Sequence, residues 1–215
     1  MAQISYKMFF TNVRAMTAII SSMFAMIFML FYEPVLTTYL QDQYQMPDKY
    51  FGYVLAIGCF TYAFSSPLVG MLCSKIKRRY VTLGAFVFCG ISMFLFGPSE
   101  LLGLPPKLGL TLSGVGALGC SVAFLFVPLL PEIITAVAEK EGIEHSPFLS
   151  DKASGLYNSA YGVGNCLAPI IGGALTQARG FRFCCDVMGV ASLSFSVLYL
   201  LFAVIPGIIG DRKKG

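Results

Sequence analysis

Six stretches of the chain are almost entirely apolar, at about 15–40, 51–73, 81–97, 108–137, 153–175 and 183–209. Most reach the ~20 residues a helix needs to cross a bilayer core, and the third is the shortest. Between them lie "QDQYQMPDKY", "SKIKRR", "GPSELLGLPPK", "EKEGIEHSPFLSDK" and "TQARGFR", polar connections punctuated by Pro and Gly. Lipid offers backbone N–H and C=O groups no partners, so spanning segments must be helical. The pattern predicts an all-α integral membrane protein. A six-helix transmembrane bundle occupies 15–209, an N-terminal segment 1–14 precedes it, and a basic tail 210–215 follows.

Composition agrees. The chain is 56% hydrophobic and 12% charged, against roughly 25% charged in soluble domains. The N-terminal "MAQISYKMFFTNVRAMTAII" does not read as a signal peptide, because the apolar segment is too long and no small-residue cleavage site follows. The seven cysteines lie mostly inside apolar segments and read as small hydrophobes, and the lone histidine, His145, sits in a polar loop. There is no nucleophile–base set, metal cluster or phosphate loop, so an enzyme, a metal and a cofactor are not expected. No basic, aromatic-interleaved patch suggests nucleic acid.

Lys and Arg set the orientation. Six spans place the N-terminus, the second and fourth loops and the C-terminus on one side, with eleven basic residues against four on the other. The positive-inside rule then puts both termini in the cytoplasm, and "SKIKRR" is the strongest determinant.

The helices are rich in small residues. Gly116 to Cys120 and Gly164 to Ala168 have the small-xxx-small spacing that lets helix backbones approach. Pro169 removes a backbone hydrogen bond in mid-span, so the fifth helix reads either as a packing element or as a flexing gate.

Three groups of residues carry a family resemblance. "GMLCSKIKRRYVTL" resembles the loop signature of the major facilitator superfamily, with Gly70, Leu72, Lys75, Arg78 and Arg79 matching, Ser74 in place of the usual aspartate and Lys77 in place of the second glycine. "GNCLAPIIGGAL" is similar to the motif of proton-coupled antiporters in that superfamily, through Gly164, Pro169, Gly172 and Gly173. The order of "YEPVL", "SSPLVG", "VPLLPEI" and "SGLYNSAYGVG" resembles the C-terminal half of vesicular amine and polyamine transporters. The resemblance implies one six-helix half of a twelve-helix transporter, facing a second half across the substrate site. It implies lipid and a small organic cation as further partners. It favours an intracellular vesicle or organelle membrane, with mitochondrial and plasma membranes as alternatives.

Glu33 is the sharpest polar feature. A carboxylate inside a span costs about 2.5–3.5 kcal/mol on insertion scales, and the resemblance implies a proton-coupling role for an acid before a proline in this span. Tyr32, Tyr62, Asn158 and Tyr161 are the cavity candidates, with Tyr157 beside them. In the related transporters two further membrane acids occur, at positions that correspond here to Ala123 and Asn158. Glu132 reads as a gate or loop contact, and Asp186 as a structural i,i+4 partner of Arg182. Two functions follow: proton-coupled antiport by a complete transporter, or a transport-inactive half serving as a subunit of a larger membrane complex. Glu33 and the antiporter-like fifth span favour the first. The start at Met1, the ending "GDRKKG" and the missing acids favour the second.

Overall fold

The computed structural model describes residues 5–212, with side chains through residue 208. Residues 1–4 of the N-terminal segment, and Lys213, Lys214 and Gly215 of the basic tail, lie outside the described residues. Every regular element is helical: α1 (Tyr6–Thr11), α2 (Val13–Leu30), α3 (Glu33–Tyr44), α4 (Phe51–Lys75), α5 (Arg78–Phe96), α6 (Leu108–Glu141), α7 (Pro147–Arg179), α8 (Phe181–Tyr199) and α9 (Ile205–Arg212). A widened π-helical turn at Leu200–Val204 joins α8 to α9.

Local chemistry sets the boundaries. Asn12 caps α2 by accepting the N–H groups of Arg14 (3.1 Å) and Ala15 (3.3 Å), and its amide also donates to the Ala136 carbonyl of α6 at 2.6 Å. Asn12→Ala is therefore expected to lower stability by about 1–2 kcal/mol, read as a lower melting temperature in detergent. Ser146 caps α7 by accepting the Leu149 N–H, and Pro147 occupies the first helical position. α6 ends on Gly142 at φ 64°, the left-handed conformation that glycine adopts without penalty.

Five helical stretches among the described residues are long and apolar enough to cross a bilayer: Val13–Tyr44, Asp48–Lys75, Arg78–Phe96, Leu108–Glu141 and Phe181–Ile208. The fifth expected span, α7, has 33 residues and so the length, but its composition is less apolar. Among its exposed residues Asn158, Ser159 and Asn165 stand beside the apolar Val163, Leu167 and Ile170.

α6 is the hub. It packs against α4 on one side and α5 on the other, and also against α2; α2 packs on α7, and α5 on α8. Backbones meet closely at these contacts. A Cβ on Gly119 would collide with the Gly58 carbonyl of α4, and one on Gly114 with the Phe96 backbone of α5. Cys120 accepts a hydrogen bond from Ser65 of α4 at 3.1 Å, so the Gly116–Cys120 pair does lie on a helix contact. The interior is aromatic, with Phe24 against Phe195 (4.5 Å) and Phe86 against Phe195 (4.8 Å). In contrast α4 buries only Val54, Ser65 and Val69 and leaves Tyr53, Phe60, Phe64, Leu68 and Met71 exposed.

The expected Asp186–Arg182 pair does not form. Asp186 Oδ2 accepts the backbone N–H groups of Glu100 (3.0 Å) and Leu101 (3.2 Å). Arg182 donates to the carbonyls of Pro98 (2.7 Å) and Leu104 (2.9 Å) and lies 3.5 Å from the Glu100 carboxylate. Both side chains satisfy backbone groups of the α5–α6 loop, and buried orphan groups there cost more than a local ion pair returns.

Candidate functional site

The first span is broken. Pro34 has no N–H to offer the Leu30 carbonyl, so Phe31 and Tyr32 leave the helix and α3 restarts at Glu33. Val35 and Leu36 both donate to the Tyr32 carbonyl, at 3.1 and 2.8 Å. The Phe31 carbonyl, which Val35 would serve in a continuous helix, instead faces Gly172 of α7, where a Cβ would collide with it. Tyr32 sets its ring edge-to-face on Phe96 at 4.9 Å. Glu33 is exposed in the first turn of α3, where unpaired backbone N–H groups favour a negative charge. Sequence placed this acid within an unbroken span. The structure places it at a helix start, exposed among the described residues.

The antiporter-like stretch of α7 divides between two faces. Gly164, Ala168 and Gly172 are buried, and a Cβ on Gly164 would collide with the Met23 carbonyl of α2. Pro169 is exposed, and no atom lies within 4 Å of where a Cβ on Gly173 would sit. The helix continues unbroken through Pro169. The glycines thus dock α7 on α2, and the proline is exposed to one side of that contact.

The cavity candidates fall into two groups. Tyr161 lies 5.3 Å from Phe126 and 5.8 Å from Tyr157, centroid to centroid, and Tyr62 of α4 is partly buried against the same apolar core. Asn158 is exposed on α7 beside them. Tyr32 and Glu33 form the second group. Gly164 meets Met23 and Gly172 meets Phe31, so α2 and α7 run parallel and in register. Tyr161 lies eleven residues before Gly172 and Glu33 two after Phe31, which separates their levels by about 20 Å along the axis.

A third group was legible only in parts. At the end of the bundle where α2 begins, Arg14 Nε lies 2.6 Å from the buried Glu132 carboxylate of α6, and Arg14 Nη1 2.5 Å from Glu139. Arg78 donates to the Thr135 hydroxyl at 2.8 Å and to the Pro131 carbonyl at 3.5 Å. Arg79 is buried and packs against Gly207 of α9. A cavity of about 190 Å³ opens among these charges. Of the other loop-signature residues, Ser74 turns its hydroxyl back to the Met71 carbonyl at 2.7 Å, Lys75 is exposed, and Gly70 has open space where a Cβ would sit. Glu132 is therefore a buried ion-pair partner of the first span, 118 positions away in sequence. Among the described residues no group of three or more His, Cys, Asp or Glu side chains could hold a metal ion.

The family profile of the Major Facilitator Superfamily matches residues 18–214, nearly the whole bundle. The chain belongs to that superfamily. It is 28% identical over 178 residues to the human MFS-type transporter SLC18B1, covering 80% of this chain and 39% of that one. The mouse protein of the same name is 29% identical over 175 residues, covering 80% of this chain and 38% of the other. The chain thus spans about two fifths of the length of these relatives. It is an integral membrane protein of a transporter superfamily, related to the SLC18 branch.

Proposed function

We propose that this bundle is one half of a secondary active transporter, equivalent to the C-terminal six helices, and that it couples proton movement to antiport of an organic cation, an amine or polyamine. The observation that carries the reading is Glu33, an acid at a helix start that is exposed among the described residues. An acid placed there can bind a proton in one state and a cation in the other. Both termini lie in the cytoplasm, following the excess of basic residues on that side, and the resemblance favours a vesicle or organelle membrane. Glu33→Gln in the intact protein, reconstituted in vesicles, is expected to abolish uptake driven by a pH gradient while expression and melting temperature stay unchanged. Uptake at the wild-type rate would overturn the coupling role.

A second six-helix half is the partner proposed for the faces of α4 and α7. Cys59 on α4 and Cys166 on α7 are both exposed and free. Each is expected to react with a membrane-permeant maleimide in the isolated chain, and to be protected at least tenfold in the assembled transporter. Equal labelling in both states would remove the half-to-half contact.

One observation favours the alternative of a transport-inactive structural subunit. Ala123 stands where related transporters carry an acid, and it is fully buried against Val69 and Val81. Asn158, at the other such position, cannot carry a proton. A chain that assembles stably with other membrane proteins, and whose Glu33→Gln variant assembles and functions as wild type, fits that reading.

A further inference from the structure

We propose that the cavity between α3 and the α7–α8 turn binds a small zwitterion, an amino acid or a related amino-carboxylate, with its ammonium at Asp42 and its carboxylate at Arg179. The cavity has a volume of about 710 Å³ and lies at the end of the bundle opposite the Arg14–Glu132 pair. One wall is a single face of α3, where Val35, Thr38, Tyr39, Asp42 and Gln43 follow the spacing that brings side chains to one side of a helix. The other wall comes from α7 and α8. Gly180, at φ 91°, ends α7 and begins α8 within one residue, so Arg179 and Arg182 reach the same cavity from either side of it. Glu100 completes the lining from the α5–α6 loop. That loop is tied to α8: Asp186 accepts the Glu100 N–H at 3.0 Å, and Arg182 donates to the carbonyls of Pro98 and Leu104.

The charges sort the ligand chemistry. Two acids and two bases line the cavity. Glu100 and Arg182 lie 3.5 Å apart and largely offset each other. Asp42 and Arg179 are both exposed, and among the described residues neither joins an ion pair. The Arg179 guanidinium lies 5.2 Å from the Phe183 ring centroid, a contact that leaves its charge in place. One acid on α3 and one base at the end of α7 thus remain for a ligand, on different walls of one cavity. An anion alone meets Asp42 and a cation alone meets Arg179, whereas a molecule that carries both charges offsets each. The Tyr39 ring, stacked on Phe181 at 4.4 Å, and Val35 give the walls an apolar surface for a short methylene chain. Glu33 does not line this cavity, so the site is separate from the proposed coupling acid and does not depend on whether the chain transports.

The test is a ligand-observed NMR titration of the full chain in lipid nanodiscs, with empty discs as the blank and three probes of similar length: γ-aminobutyrate, butyrate and n-butylamine. Wild type is expected to bind γ-aminobutyrate about fivefold more tightly than either singly charged probe. Asp42→Asn is expected to remove the preference over butyrate, and Arg179→Gln the preference over n-butylamine. Both side chains are exposed, so both variants should melt with wild type. Equal binding of the three probes, n-butylamine or butyrate bound most tightly, or wild-type preferences in both variants would each overturn the proposal.

Discussion

Glu132→Gln is expected to destabilise the bundle by about 3 kcal/mol, measured as a large drop in melting temperature in detergent. The Glu132 side chain is 3% exposed and the Arg14 side chain 17%, with Nε and Oε1 2.6 Å apart. Removing one partner of a buried pair leaves the other charge desolvated, which typically costs 3–5 kcal/mol. The lower end applies because Arg14 keeps Glu139, whose side chain is 47% exposed and which holds it weakly. Glu139→Gln should therefore cost less than about 1 kcal/mol. The double replacement Arg14→Met with Glu132→Met should recover most of the loss, since an apolar pair of similar size carries no desolvation penalty. A Glu132→Gln protein that melts with wild type would show that the pair contributes nothing net.

The helical class was legible because lipid leaves a chain no other option for long apolar runs, but the bounds were less so: the run expected at 15–40 is the two helices α2 and α3, and α7 starts at Pro147, six residues before the expected 153. The weak apolarity of α7 is equally legible in Asn158, Ser159 and Asn165, once a helix is allowed a face that does not meet lipid. Pairing across the bundle was not legible. Arg14 and Glu132 are each ordinary near a span end, and only the packing of α2 on α6 brings them together. Asp186 illustrates the same limit from the other side, because a local i,i+4 rule named a partner that a distant loop's backbone displaced. In α7 the glycine spacing was visible, yet spacing alone does not say which glycines touch a neighbour. Of the candidate site, "YEP" announced both the acid and the proline. What it could not announce is that Glu33 and Tyr161 lie at levels about 20 Å apart on this half.

Gly172→Leu is expected to be the most damaging single replacement in α7. A Cβ at this position would collide with the Phe31 carbonyl, and also with the carbon beside it. Those atoms are backbone, held by the break between α2 and α3, so they cannot swing aside as a side chain would. Overpacking of a fitted contact costs about 1–3 kcal/mol, and more where backbone must move. The loss reaches function through Glu33: the Phe31 carbonyl lies two residues before it, and displacing α7 shifts the start of α3. Gly172→Leu should therefore lower the melting temperature and, in an assembled transporter, reduce uptake together. Gly173→Leu, one residue on, meets no atom within 4 Å in this chain, so the chain alone should melt near wild type. If the assembled protein loses uptake in Gly173→Leu while the isolated chain is unaffected, the face bearing Gly173 and Pro169 is the one that a second half covers. If Gly172→Leu melts with wild type instead, the contact between α7 and the broken first span is not what holds that helix in place.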